Sequence, residues 1–158
     1  MPKYALEIKA NLENLARIQP EGADFRWYVK LKCGNCGEEP EHWKYVTPEE
    51  RSDIGGSRGS ANLVEKCKLC GRQNSMDIIP GTVEAYSKSG EFQQVIVFDC
   101  RGLEPTAFEP RIGWGAQASE SSTTFSDINL GEKEWCEYDE KASVSVGIYE
   151  FESRFVKT

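Results

Sequence analysis

Four cysteines in two pairs, Cys33-Gly-Asn-Cys36 and Cys67-Lys-Leu-Cys70, constrain this chain more than any other feature. A C-x-x-C pair closes a tight turn that aims two sulfurs and several backbone N–H groups at one point. Two such turns brought together make a tetrahedral four-thiolate cage for zinc. Gly34, Gly37 and Gly71 suit this reading, because such turns need positive φ and close backbone approach. Disulfides do not suit a chain that opens without a signal-peptide pattern. A thioredoxin-like dithiol needs its C-x-x-C at the start of a helix, and neither pair begins a helical pattern. Buried, unliganded thiols would account for one pair but hardly for two of matching spacing. Iron in the same cage is the remaining alternative. Four thiolates complete the shell of zinc and leave no place for water or substrate, so a structural role and one ion per chain are expected. Lys32, Lys66, Lys68 and Arg72 flank the cysteines and would offset the negative charge of the thiolates.

The rest of the chain reads as strands. Tyr4, Leu6, Ile8, Ala10 and Leu12 alternate with mainly polar residues, as do Phe25, Trp27, Val29 and Leu31. Trp43 and Tyr45 mark a shorter strand. Val95-Ile-Val-Phe98 is a continuous apolar run, which predicts burial on both faces. Val144 to Val156 predicts a last strand with Tyr149, Phe151 and Phe155 on one side and Val146, Ile148 and Val156 on the other. Each C-x-x-C follows a predicted strand, Trp27–Lys32 and Ala61–Lys66. Helix signals are few: Thr47-Pro-Glu-Glu50 has capping-box spacing and predicts one turn at most, and Glu132–Lys141 predicts a short helix carrying Trp135 and Tyr138. Ile54–Ser60 is glycine-rich and predicts a loop without the lysine of a phosphate-binding loop. With 14 glycines and many short strands, the fold class is mainly β, of sandwich or barrel-like antiparallel architecture.

An internal similarity points to two related lobes. Leu6–Ala10 followed by Ile18-Gln-Pro20 resembles Ile96–Cys100 followed by Phe108-Glu-Pro110 at a constant offset of 90, with Phe25 and Trp43 matched to Phe125 and Trp135. The division expected is a zinc-binding β lobe over residues 1–90 and an acidic, metal-free β lobe over 91–158, packed as one compact unit. Residues 1–90 hold 13 Lys/Arg against 13 Asp/Glu, whereas 91–158 hold 6 against 13, so the net charge of −7 belongs wholly to the second segment. An acidic surface repels phosphate backbones and disfavours nucleic acid as a partner. No apolar run reaches the roughly 20 residues of a membrane span, and the opening residues lack the apolar stretch of a signal peptide. A cytoplasmic protein, with the nucleus open by passive entry, is the expectation.

Other chemistry finds little support. His42 is the single histidine, so a Ser/His/Asp triad would depend on it alone, and no G-x-S-x-G elbow is present. Cys100 continues an apolar strand face and reads as a core thiol, and Cys136 sits among charges. Phe25, Trp27, Tyr28, Trp43 and Tyr45 read first as β core and cross-strand pairs rather than base-stacking platforms.

Taken together, Phe25–Gly37, Lys66–Cys70, Cys100–Pro105, Phe125–Leu130, Tyr138–Ala142, Ser145–Glu150 and Phe155–Lys157 resemble the eukaryotic family named for its CXXC motif and zinc binding. The resemblance spans nearly the whole chain. It implies zinc bound by Cys33, Cys36, Cys67 and Cys70, a β-rich fold of two similar lobes and no established enzymatic activity. It also implies a link to metal handling, through a copper chaperone or a similar protein. Two functional classes follow. The first is a monomeric, zinc-stabilised adaptor that binds another protein, in metal handling or redox homeostasis, and is not an enzyme. The second is a thiol-dependent redox enzyme on a zinc-stabilised β scaffold, using Cys100 or Cys136 as nucleophile.

Overall fold

The computed structural model describes residues 2–56 and 59–158; Ser57 and Arg58 of the predicted glycine-rich loop lie outside the described residues. Among the described residues, fourteen strands follow one another: β1 (Lys3–Glu13), β2 (Leu15–Pro20), β3 (Trp27–Cys33), β4 (Lys44–Val46), β5 (Ser52–Asp53), β6 (Ser60–Ala61), β7 (Leu63–Lys66), β8 (Gln73–Ile78), β9 (Gln93–Arg101), β10 (Leu103–Glu109), β11 (Trp114–Ala118), β12 (Thr124–Ile128), β13 (Trp135–Asp139) and β14 (Val144–Lys157). The described residues contain no helix. Thr47–Glu50 forms the single turn expected, closed by the Glu50 N–H donating to the Thr47 carbonyl at 3.3 Å. The short helix expected over Glu132–Lys141 is not formed. Residues 135–139 are strand β13, in which Trp135 lies opposite Ile148 of β14. Trp135 and Tyr138 are spaced as on a helix face, but pairing with β14 satisfies the backbone and takes precedence over the local pattern.

All pairing is antiparallel. A six-stranded sheet runs β13-β14-β1-β9-β8-β7, and two three-stranded sheets run β10-β3-β4 and β12-β11-β2. Each of the three takes strands from both sides of residue 90, so the boundary expected there is not a gap between sheets. The repeat is nevertheless visible in the topology. Exchanging β1 with β9, β2 with β10, β3 with β11, β4 with β12, β7 with β13 and β8 with β14 returns the same six-stranded order reversed and swaps the two smaller sheets. The offset of 90 holds into the second pair, where Ile18 lies opposite Ala116 and Phe108 opposite Val29 at matching places in the two ladders, and later pairs drift because the connecting loops differ in length. Two of the residue matches expected from sequence are therefore replaced: the counterpart of β3 is β11, so Trp27 is matched by Trp114 and Phe25, just before β3, is not matched by Phe125 of β12, and Trp135 of β13 corresponds to β7 rather than to Trp43.

These two tryptophans meet at the centre of the core. Trp27 and Trp114 are 2% and 1% exposed, and their rings stand 6.3 Å apart edge to face. Phe25, Phe108 and Phe151 pack around them with centroids 4.8–6.0 Å away, separations at which aromatic pairs add about 0.5–1.5 kcal/mol beyond area burial. The Val95–Phe98 run is buried on both faces as expected. The alternation expected along the last strand breaks at a bulge. Glu150 has φ of 53°, and the β1 register jumps from Asn11 opposite Tyr149 to Lys9 opposite Glu152. The extra residue reverses the phase, so Ile148 and Phe151 both enter the core instead of facing opposite ways.

Candidate metal centre

β3 ends at Cys33 and β7 ends one residue before Cys67, so the two C-x-x-C turns stand where these strands leave their sheets. Both turns close in the same way. The Cys33 N–H donates to the Glu38 carbonyl at 2.8 Å and the Gly37 N–H to the Cys33 carbonyl at 2.9 Å. In the second turn, Cys67 donates to Arg72 and Gly71 donates to Cys67, both at 2.8 Å. Gly37 and Gly71 have φ of 81° and 77°, a conformation that disfavours a side chain. Gly34 meets the other requirement, close approach: its N–H donates to the Gly102 carbonyl at 2.9 Å, and a Cβ on Gly34 would stand only 3.3 Å from that oxygen.

These turns bring together the four sulfurs that the spacing singles out. The Sγ atoms of Cys33, Cys36, Cys67 and Cys70 all lie within 4.8 Å of one another. Cys33 and Cys70 are 3.8 Å apart, and Cys36 and Cys67 are 3.5 Å apart. A regular tetrahedron with Zn–S of about 2.3 Å has edges of about 3.8 Å, so the donor set fits zinc in number, chemistry and spacing. The inner pair is screened from solvent, with Cys33 at 6% and Cys67 at 9% exposure, while Cys36 and Cys70 are exposed. His42 is exposed and outside the cluster.

The turn backbone prepares the sulfurs for charge. N–H groups of Cys36 and Asn35 point at Cys33 Sγ and lower its thiol to about 6. The Asn35 side chain and the Arg72 N–H lower Cys70. Cys36 behaves oppositely: the Glu38 N–H favours its thiolate, yet desolvation and the neighbouring sulfurs outweigh that bond and push it up to about 12. Four crowded thiols therefore resist losing every proton without a cation among them, and a divalent metal supplies that charge. Two of the lysines expected to balance the site are tied elsewhere or lie to its side: Lys32 pairs with Glu104 at 3.8 Å, and Lys66 lines an adjoining cleft.

Beside the cluster lies a cleft of about 400 Å³, lined by Leu31, Pro40, His42, Lys66, Lys68 and Leu103 among others. Sequence reasoning missed it, because its walls come from β3, β7, the start of β10 and the loop before β4. The two remaining cysteines lie apart from the cluster. Cys100 is fully buried on β9, and burial pushes its thiol up to about 12, the opposite of an activated nucleophile. Cys136 is exposed on β13.

An all-β chain clamped by two cysteine turns that form a closed four-sulfur site is a structural zinc protein by class. Comparison with known proteins makes this specific. The family model for the eukaryotic CXXC motif containing zinc binding protein matches residues 5–156, and the chain belongs to that family. The mouse and human proteins of that name are 52% and 51% identical, each over 99% of both chains. The crystal structure of C1orf123 superposes with a TM-score of 0.94 at 51% identity, covering 99% of each chain. A hypothetical protein from Plasmodium falciparum shares the fold, with a TM-score of 0.87 at 23% identity. The chain therefore carries one zinc-binding four-cysteine site.

Proposed function

We propose that this chain is a non-catalytic adaptor whose zinc holds a protein-docking end in shape, and that its partner is a metal-handling protein of the copper-chaperone kind. The observation that carries this reading is the contrast within the cluster. The inner sulfurs are covered and the outer ones exposed, and Leu69, between the second pair of cysteines, is 69% exposed. A four-thiolate site has no open coordination position, so chemistry at the metal is not its use. An exposed leucine on a rigid turn beside a partly apolar cleft is the kind of anchor that protein partners bury. Exposed sulfurs at the same end also lie within reach of a partner's thiols for metal exchange. The cytoplasm, where thiols stay reduced, suits such a site.

The test compares capture of a purified copper chaperone, and of cytosolic proteins, by the zinc-loaded chain and by Leu69→Asp. The reading expects the partner to be lost from the variant while its zinc content stays unchanged. Equal capture by both forms would remove the docking role from this end.

A further inference from the structure

The exchange of strands that maps one half of the fold onto the other also maps the metal centre onto a second place. Cys33 lies opposite Leu103 in the β3–β10 ladder, and Ala118 lies opposite Leu15 in the corresponding β11–β2 ladder. From that match the loop after β3 and the loop after β11 follow in step. The Cys33 N–H donates to the Glu38 carbonyl at 2.8 Å, and the Ala118 N–H to the Thr123 carbonyl at 2.9 Å. The Gly34 N–H donates to Gly102, and the Ser119 N–H to Asn14, where Gly102 and Asn14 both have positive φ. The turns after β7 and β13 match as well: Cys67 bonds Arg72 across its turn, Asp139 lies opposite Val144, and Gly71 and Ser143 have φ of 77° and 56°. The counterparts of Cys33, Cys36, Cys67 and Cys70 are thus Ala118, Ser121, Asp139 and Ala142, with the same two-residue spacing inside each pair. Even the exposure follows, since Ala118 and Asp139 are buried and Ser121 and Ala142 are half-exposed.

At this second place a carboxylate stands where the first half gathers sulfur. Asp139 is 0% exposed. Its Oδ2 accepts from the Ser121 hydroxyl at 2.6 Å, and its Oδ1 accepts from Thr123 Oγ1 at 3.0 Å and from the N–H groups of Lys141 and Ala142 at 3.1 and 3.3 Å. Two of these bonds come from the loop after β11 and two from the turn after β13. We infer that the Asp139 hydrogen-bond node is the second half's counterpart of the zinc centre, a metal-free cross-link joining the β11–β12 loop to the β13–β14 turn. A buried carboxylate with four donors can fix two loops because each donor left unpaired would be costly. The fold therefore has two clamps, related by its internal symmetry and built from different chemistry.

Two experiments on the full zinc-loaded chain test this. The first is amide exchange in Asp139→Asn and in the milder pair Ser121→Ala with Thr123→Val. Both should speed exchange at least tenfold across residues 118–124 and 139–144 while residues 33–38 and 67–72 keep wild-type protection and one zinc stays bound. Unchanged exchange at the node, or a loss spread evenly through the molecule, would overturn the cross-link. The second installs cysteines by Ala118→Cys, Ser121→Cys, Asp139→Cys and Ala142→Cys and counts metal after refolding with excess zinc. Two zinc ions per chain are expected; one, or a chain that zinc does not fold, would overturn the equivalence of the two places.

Discussion

Replacing Cys36 by serine, or stripping zinc with a chelator, removes the link between two turns far apart in sequence. Cys36 and Cys67 are 31 residues apart and Cys33 and Cys70 are 37 apart. Treated as a cross-link that closes a loop of that length in the unfolded chain, the site is worth about 4 kcal/mol from chain entropy alone. Zinc-peptide energies of roughly 10–16 kcal/mol set the upper scale. The lower figure is already a large part of the 5–15 kcal/mol typical of whole domains. With a urea slope of about 2 kcal/mol per molar, it corresponds to a fall in midpoint of about 2 M. The assay is urea unfolding followed by tryptophan fluorescence, with and without chelator and for Cys36→Ser with and without zinc. Amide exchange on the chelated protein should show the earliest loss in the two cysteine turns and in β7 at the sheet edge. β9, which is hydrogen-bonded on both sides and buried on both faces, should keep more protection. A midpoint change below about 0.5 M would refute the reasoning, because a link worth so little would not be tying these turns together.

Other perturbations have equally definite outcomes. Cys100→Ala should cost about 1 kcal/mol for its small cavity, leave zinc content unchanged and show, by comparison, that the wild-type Cys100 thiol stays inert to thiol reagents until unfolding. Tyr86→Phe should cost about 1–3 kcal/mol in chemical denaturation, since the buried Tyr86 hydroxyl accepts from the Ala10 N–H at 3.1 Å and donates toward the Lys88 and Glu91 carbonyls. Asp139, held below the usual carboxylate range first by its bond from Ser121, stabilises the fold above the pH at which an unfolded aspartate ionises. That stability is lost as pH falls through the lower folded value, so Asp139→Asn should flatten the acid limb of a stability–pH curve below about pH 4.

The metal centre was legible because its information is local. Two residues between cysteines set each turn, and Gly37 and Gly71 declare the φ that the turns require. The alternation of Tyr4–Ala10 and the apolar run of Val95–Phe98 were legible for the same reason. What escaped is set by distant partners. The bulge at Glu150 exists because β14 must match β1 around Ala10, and nothing near Glu150 announces the skipped residue. β13 reads like a helix until Ile148 is known to lie across from Trp135. Tyr86 sits in a segment broken by turns, and Trp114 opens β11, where small residues buried on both faces replace alternation, so no pattern marks either as core. The node at Asp139 was invisible altogether, because Ser121 looks like an ordinary loop residue and Asp139 like one more acidic residue of the helix expected over Glu132–Lys141 until the two halves are superposed.

X-ray absorption at the zinc edge, on protein purified without added metal, addresses the central claim most directly. The account predicts one zinc per chain surrounded by four sulfur scatterers at about 2.3 Å. A shell containing nitrogen or oxygen, which would bring in His42 or water, or zinc well below one per folded chain, would contradict it.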